Sequence, residues 1–360
     1  MNHCVRSFDN ETLVTSSVSS ISGTVVLLLA ALIGIPGNVF IIWSVLWRMK
    51  GKDKSVTCIL ILNLAMADGT VLCMTPFFIA FLIMRTWIFK WAVCKVVYYI
   101  TCVNMYASIH IITLMSLDRL LAVTRPYLVQ SIRKKHIARK VLMGIWTAAI
   151  LLSIPAFAYR EVVEEARTEM LICEPCHPTT SHTIFHYSLE TIVAFLVPLI
   201  IILSSYTVIL RRLKASKFRR RVRTEKLILA IVLTFTVLWL PYHVVNAVQV
   251  ASRLATGQLA DKLKHAWKMS RALASTLAFI SFSINPVLYA FAASNFIKLF
   301  GMNFIVKLLE GTTGEMNRRT KSQRDLEKDF VNEASKGGES MEFNRDDRID
   351  AIPAIKLPPV

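Results

Sequence analysis

Charge is scarce in this chain. Asp, Glu, Lys and Arg make up 18% of its 360 residues, and hydrophobic residues make up 54%. A soluble domain of this size cannot hide that much apolar surface. Acids are scarcest where bases gather: the segment 125–140 carries six Lys/Arg and no acid, and 211–226 carries nine against Glu225 alone. Residues 1–20 lack the apolar core of a cleavable signal peptide, so the first apolar run is expected to stay in the protein as a helix. No HExxH, GxSxG or pair of catalytic aspartates marks an enzyme. No internal repeat or pair of broken helices marks a transporter, and no pore loop marks a channel. No cysteine follows Cys176, which excludes a palmitoyl anchor beyond the last apolar run.

What is present is length. Seven apolar runs reach the roughly 20 residues needed to cross a bilayer as a helix: 21–47, 57–84, 91–124, 138–159, 184–210, 227–250 and 266–292. Short connections make neighbouring helices antiparallel. The expected architecture is an all-α membrane protein: a seven-transmembrane bundle over 21–293, preceded by a segment 1–20. The basic connections, with Arg48, Lys50, Lys52 and Lys54 in the first, belong on the cytoplasmic side. The acid-rich stretch 160–174, with Glu161, Glu164, Glu165, Glu169 and Glu174, belongs outside. An odd number of spans puts the N-terminus outside and the C-terminus inside. Asn10-Glu11-Thr12 is then a glycosylation sequon on the outer side. The net charge of +18 does not imply nucleic acid, because the excess lies beside the spans.

Beyond the bundle, Phe296, Phe300, Phe304 and Leu308 repeat every four residues. With Lys298 and Lys307 they read as an amphipathic helix over 294–310 lying on the membrane. The polar, charge-mixed tail 311–360 reads as disordered.

Of seven cysteines, Cys58, Cys73 and Cys102 fall inside spans and are expected to be packed thiols. Cys4, Cys94, Cys173 and Cys176 face the oxidising side. A Cys94–Cys173 bridge is favoured, with Cys176 the competing partner and Cys4–Cys176 a second pairing. The lone CxxC beside His177 is a poor metal site in that compartment.

Polar groups within spans are functional candidates, because burying them in lipid is costly. Asp68, Ser108 and Asn285 can hold a sodium ion, since oxygens and one carboxylate suit a hard cation. A metal-free hydrogen-bond network is the alternative. Asp118-Arg119 ends the third span, 25 residues after Cys94, which is about 37 Å along a helix. Trp239-Leu240-Pro241 places a bulky ring beside a kink.

These residues together resemble the class A, rhodopsin-like G-protein-coupled receptors over about 21–310. The matching marks are Gly37-Asn38, Asn63 with Asp68, Cys94, Asp118-Arg119, Trp146, Pro198 with Tyr206, Trp239-Leu240-Pro241 and Asn285-Pro286-Val287-Leu288-Tyr289. Within that family the chain is similar to the leukotriene B4 receptor branch. The shared stretches are Trp239 to Asn246, Phe218 to Arg221, Lys307 to Gly311, Met105 to Ser108 and Ala158 to Arg160. The family's Asp-Arg-Tyr reads Asp118-Arg119-Leu120 here. Arg221 stands where many relatives carry an acid to hold that arginine, which leaves Arg119 with mainly Asp118. A loosely held inactive state with basal signalling is therefore expected.

The resemblance implies a receptor for leukotriene B4 or a related hydroxy fatty acid, coupled to inhibitory-class G proteins, with arrestin and receptor kinases as further partners. It implies a plasma-membrane location and no enzymatic activity. A chemoattractant-peptide receptor is the alternative on the same scaffold. An anionic hydroxy lipid needs cations at the outer rim, hydroxyl partners deeper and an apolar sleeve. Arg160 and Arg271 can take the carboxylate. His243 and Asn246 lie one helical turn apart, and Tyr106, Tyr242 and Glu190 face the same site if the family geometry holds. Tyr98 and Thr183 stand where relatives are expected to be basic, and His182 or His186 is a candidate to compensate. The implied activation switch comprises Asp118, Arg119, Trp239, Pro241, Tyr206 and Tyr289.

Overall fold

The computed structural model describes residues 17–48, 55–165, 170–215 and 222–300. Among these, seven helices are long and apolar enough to cross a membrane: Ser20–Trp47, Val56–Met84, Lys90–Thr124, Lys135–Tyr159, Thr180–Arg212, Val232–Leu254 and Gly257–Leu288. They are called the first to seventh spans. The third packs against the second, fourth, fifth and sixth. Burial is inverted relative to a water-soluble bundle. Leu32, Trp47, Ile200, Val237 and Leu273 are exposed, whereas Asn38, Asp68, Glu190, Asn246 and Asn285 are buried. Lipid rewards that arrangement, because it solvates apolar side chains and leaves polar ones to find partners inside. Of the free thiols, Cys58 and Cys102 are buried, but Cys73 is exposed on the outer face rather than packed.

Local chemistry sets the helix ends. The Ser55 hydroxyl accepts from the Cys58 amide at 3.3 Å, and Thr179 accepts from the His182 amide at 3.4 Å; both are N-caps. The sixth helix ends at Leu254 and the next begins at Gly257. Gly257, at φ 63°, takes the left-handed conformation that this tight connection requires. That helix begins nine residues before the expected 266, because 257–265 is helical but too polar to register as an apolar run. It continues to Phe300. The rest of the amphipathic segment 294–310, the tail 311–360 and Asn10 lie outside the described residues.

Two elements were not expected. A hairpin of β1 (Arg160–Glu164) and β2 (Leu171–Pro175) follows the fourth span, with Val162 opposite Cys173. A short helix, Pro126–Ile132, follows the third span. The hairpin is held down by the Cys94–Cys173 disulfide, with Cα atoms 5.8 Å apart. Cys176 is also disulfide-bonded, and Cys4 lies outside the described residues. Buried Trp87 fixes the hairpin further: its backbone N–H donates to Leu171 O at 2.7 Å and its indole N–H to Lys90 O at 2.9 Å. This end of the bundle is called the disulfide end; the opposite one is the Arg119 end.

The prolines are accommodated in different ways. Pro155 sits on the first turn of a helix that restarts at Ile154, where its missing N–H costs nothing. Pro198 follows a π-helical turn, Ile192–Leu196. Pro286 lies inside the seventh helix and leaves the carbonyl four residues earlier, Phe282, without its helical donor. Asn38 supplies that donor: its amide donates to Phe282 O at 3.1 Å and to Gly34 O at 3.0 Å. The approach is close because Gly37 has no side chain. A Cβ there would come within 2.6 Å of the Pro286 ring.

Asn38→Ala should therefore lower the melting temperature of the detergent-solubilised protein, at a cost of about 1–3 kcal/mol. Asn38→Asp should not rescue it, because a carboxylate cannot donate. An unchanged melting temperature in either variant would show that Phe282 has another donor.

Candidate functional site

Midway toward the disulfide end, the fifth span carries a buried carboxylate, Glu190. A charge in that position needs several partners, and three spans supply them. From the sixth, Tyr242 Oη and Asn246 Nδ2 each donate to Glu190 at 3.1 Å. From the third, the Cys102 thiol donates at 3.7 Å. His186, one turn earlier on the fifth span, lies 3.5 Å away.

Asn246 has a second role. While its amide nitrogen serves Glu190, its oxygen accepts from Arg271 of the seventh span. Arg271 also donates to Gln249. Its guanidinium lies 5.1 Å from the Tyr187 ring centroid, 5.5 Å from Tyr242 and 5.7 Å from Trp267. The partners of this cation are thus neutral amides and aromatic faces, which stabilise positive charge without cancelling it. Arg160 is placed similarly. It opens β1, turns inward rather than out to headgroups, and stacks 3.7 Å over the Tyr98 ring. Its Nε is buried without a hydrogen-bond partner.

Below the cations lie further polar atoms without partners. Tyr106 Oη and both ring nitrogens of His243 are buried and unbonded. Both side chains are near enough to Glu190 to feel its charge. His243 stacks on Phe195 with centroids 4.7 Å apart. Of the two histidines proposed to compensate at the rim, His186 belongs to the cluster and bonds His177 at 2.9 Å. His182 is exposed and bonds Thr179 of the cap. Thr183 is buried. Burial, with His186 opposite, holds His177 down at about 3, so its ring is neutral at physiological pH.

Two layers lie deeper. Trp239 donates its indole N–H to Ser281 Oγ at 3.0 Å and packs against Phe235, Phe282 and Tyr242. Next, Asp68 accepts from Asn285 Nδ2 at 2.7 Å and from Ser108 Oγ at 3.2 Å. Ser108 also lies 3.0 Å from Asn104 Oδ1. Asp68, Ser108 and Asn285 thus meet as expected, with Asn104 an unforeseen fourth member.

At the Arg119 end the expected pairing changes. Asp118 lies 3.8 Å from Arg119 but 3.1 Å from Arg133. The short helix Pro126–Ile132 ends at Arg133 and brings that residue back over the end of the third span. Arg119 and Arg133 both donate to Thr57 Oγ1, at 2.6 and 2.7 Å. Arg119 therefore does not depend mainly on Asp118. Tyr206 is buried; the side chain of Tyr289 and residue Arg221 lie outside those described. Sequence reasoning missed Gln249, Tyr187, Trp267, Cys102, Thr57 and Arg133. Helical spacing does link some of them: Gln249 is three residues after Asn246, and Trp267 is four before Arg271.

Comparison with known proteins agrees with the seven-span fold. A family model described as 7 transmembrane receptor (rhodopsin family) matches residues 37–289. Human leukotriene B4 receptor 1 is 45% identical over 82% of this chain and 84% of its own length. Human leukotriene B4 receptor 2 is 43% identical over 87% of each chain. The C3a anaphylatoxin chemotactic receptor of Oncorhynchus mykiss is more distant, at 33% over 74% of this chain and 72% of its own length.

Asn246→Leu removes a donor from Glu190 and an acceptor from Arg271 at once. The expected cost is about 3 kcal/mol of stability, read as a lower melting temperature in detergent. A wild-type melting temperature would mean that the two charged groups do not need the amide.

Proposed function

The chain belongs to the rhodopsin family of seven-transmembrane receptors, and from that premise we propose that it responds to an extracellular hydroxylated fatty acid of the leukotriene B4 type. The observation that carries this reading is the pair of inward arginines. Among the described residues neither Arg160 nor Arg271 has a carboxylate within ion-pair distance. A ligand carboxylate supplies the missing anion. The unbonded Tyr106 and His243 then offer hydrogen bonds to ligand hydroxyls, and the surrounding rings form an apolar sleeve. The names of the two human relatives support the same ligand class.

The disulfide end faces outward in this reading, with the N-terminus on that side. The basic connections and the C-terminus face the cytoplasm. Ligand contact beside Trp239 favours the state in which the sixth span swings about Pro241. That movement opens the Arg119 end to a heterotrimeric G protein of the inhibitory class, with arrestin and receptor kinases acting on the same surface afterwards. A sodium ion bound among Asp68, Ser108 and Asn285, with Asn104 beside them, would favour the resting state, and the oxygen-rich donor set fits it.

In transfected cells leukotriene B4 should suppress cyclic AMP. Arg271→Ala should weaken its potency by roughly 10- to 100-fold, the loss of one charge-assisted contact, with surface expression retained. A response to chemotactic peptides without one to oxidised fatty acids would assign the chain to peptide ligands instead. A second prediction follows from the Arg119 end. Arg133→Ala loosens both Asp118 and Thr57, so basal suppression of cyclic AMP should rise above that of the wild-type chain. Basal output equal to wild type would show that Arg133 does not restrain the resting state.

A further inference from the structure

The seventh helix begins at Gly257, well before the apolar part of the span. Leu263, Lys264, Trp267, Lys268, Arg271, Ala274, Ser275 and Ala278 are half-buried or buried at three–four spacing, one stripe of a continuous helix. From Ala274 downward the stripe is small, as close packing requires. From Lys264 to Arg271 it is cationic and aromatic instead, although it faces the same way. On the opposite side Asp261, Lys262, His265 and Met269 are exposed.

Trp267 lies at the centre of the upper part. Its ring is 5.7 Å from the Arg271 guanidinium and 6.0 Å from Lys268 Nζ. Its indole Nε1–H is buried and has no hydrogen-bond partner. An indole N–H can only donate, and a buried donor left unpaired is costly. An acceptor is therefore missing beside the Arg271 guanidinium, and an anionic oxygen there satisfies the indole N–H next to a cation that has no carboxylate among the described residues.

We propose that Lys264, Trp267, Lys268 and Arg271 form a carboxylate-recognition strip, in which the lysines draw the ligand's anionic end to the rim and the Trp267 N–H completes the cradle with Arg271. The proposal deepens the ligand reading above and rests on it. It assigns Trp267 a role in telling a free acid from its neutral derivatives. It also divides kinetic labour along the helix. Charges at the rim govern association and its dependence on salt, and the deeper contacts govern release.

The experiment measures binding of tritiated leukotriene B4 to membranes carrying the full chain, with competition by unlabelled leukotriene B4 and by its dimethylamide. Trp267→Phe keeps a ring over Arg271 and removes only the N–H. It should weaken binding of the acid on the order of tenfold and that of the dimethylamide several-fold less, because the amide carbonyl accepts only a neutral hydrogen bond. Equal losses for both compounds would reduce Trp267 to packing, and no loss for either would remove it from the cradle. The double variant Lys264→Gln/Lys268→Gln gives an independent measurement. It should slow association several-fold at low salt and flatten its salt dependence, with dissociation unchanged; an unaltered association rate overturns the role of the lysines. If the wild-type chain binds neither compound, the ligand class itself is wrong and the strip falls with it. Wild-type binding of the acid with variants that behave identically sinks the strip alone.

Discussion

The disulfide-end half of the bundle depends on one neutral side chain that touches two opposite charges. Asn246 donates to Glu190 and accepts from Arg271, so the carboxylate and the guanidinium are joined without meeting. A direct salt bridge would satisfy both and leave nothing for a ligand to do. With the amide between them, Glu190 is satisfied by donors from the third and sixth spans, and Arg271 keeps its positive charge among amides and rings. Lipid supplies no hydrogen bonds to either group, so the spans that carry their partners are held in fixed register. The third, fifth, sixth and seventh spans meet at this point.

That register extends toward the Arg119 end through contacts of decreasing polarity and then increasing polarity. Tyr242 bonds Glu190 and packs edge-on against Trp239. Trp239 bonds Ser281 of the seventh span, four residues before Asn285, which bonds Asp68. A shift of the sixth span at Tyr242 therefore disturbs a hydrogen bond to the seventh span directly, through adjacent partners. The Phe282 carbonyl, released by Pro286 and taken by Asn38, lies in the same stretch of helix. The seventh span thus bends at a point where its neighbour in the first span already serves the freed carbonyl.

The architecture was legible from the sequence because a membrane imposes one dominant rule. Length and hydropathy alone located seven helices, and most boundaries agree to within a few residues. The exception is instructive. Residues 257–265 form a regular helix, but Gln258, Asp261, Lys262, Lys264 and His265 conceal it from a hydropathy count. The hairpin was missed for a related reason: Val162-Val163 and Leu171-Ile172 are too short to signal strands, and their pairing is fixed by Cys173 and Trp87 from elsewhere in the chain. Of the expected ligand residues, Tyr242 and Asn246 gather with Glu190 and Arg271, and Arg160 stacks on Tyr98. The roles of Gln249, Tyr187 and Trp267 could not be read locally, because neutral or aromatic residues on a span are common and gain meaning only from what they face.

The Arg119 end shows how one departure from a family pattern can be absorbed by another residue. A tyrosine after Arg119 and an acid on the sixth span are both missing from the sequence at the expected positions, which alone implies a weakly held arginine. The structure instead gives Asp118 and Thr57 a second guanidinium, Arg133, delivered by a short helix. Two like charges converge on one carboxylate and one hydroxyl, so they repel as well as bind, and the arrangement is stable only while both acceptors are present. Such a restraint ties the end of the third span to the second span and to the short helix Pro126–Ile132. Among the described residues Asp118 forms no ion pair with the sixth span. Nearer the disulfide end, the Trp239–Ser281 bond and the packing of Trp239 against Tyr242 and Phe282 join the sixth span to the seventh.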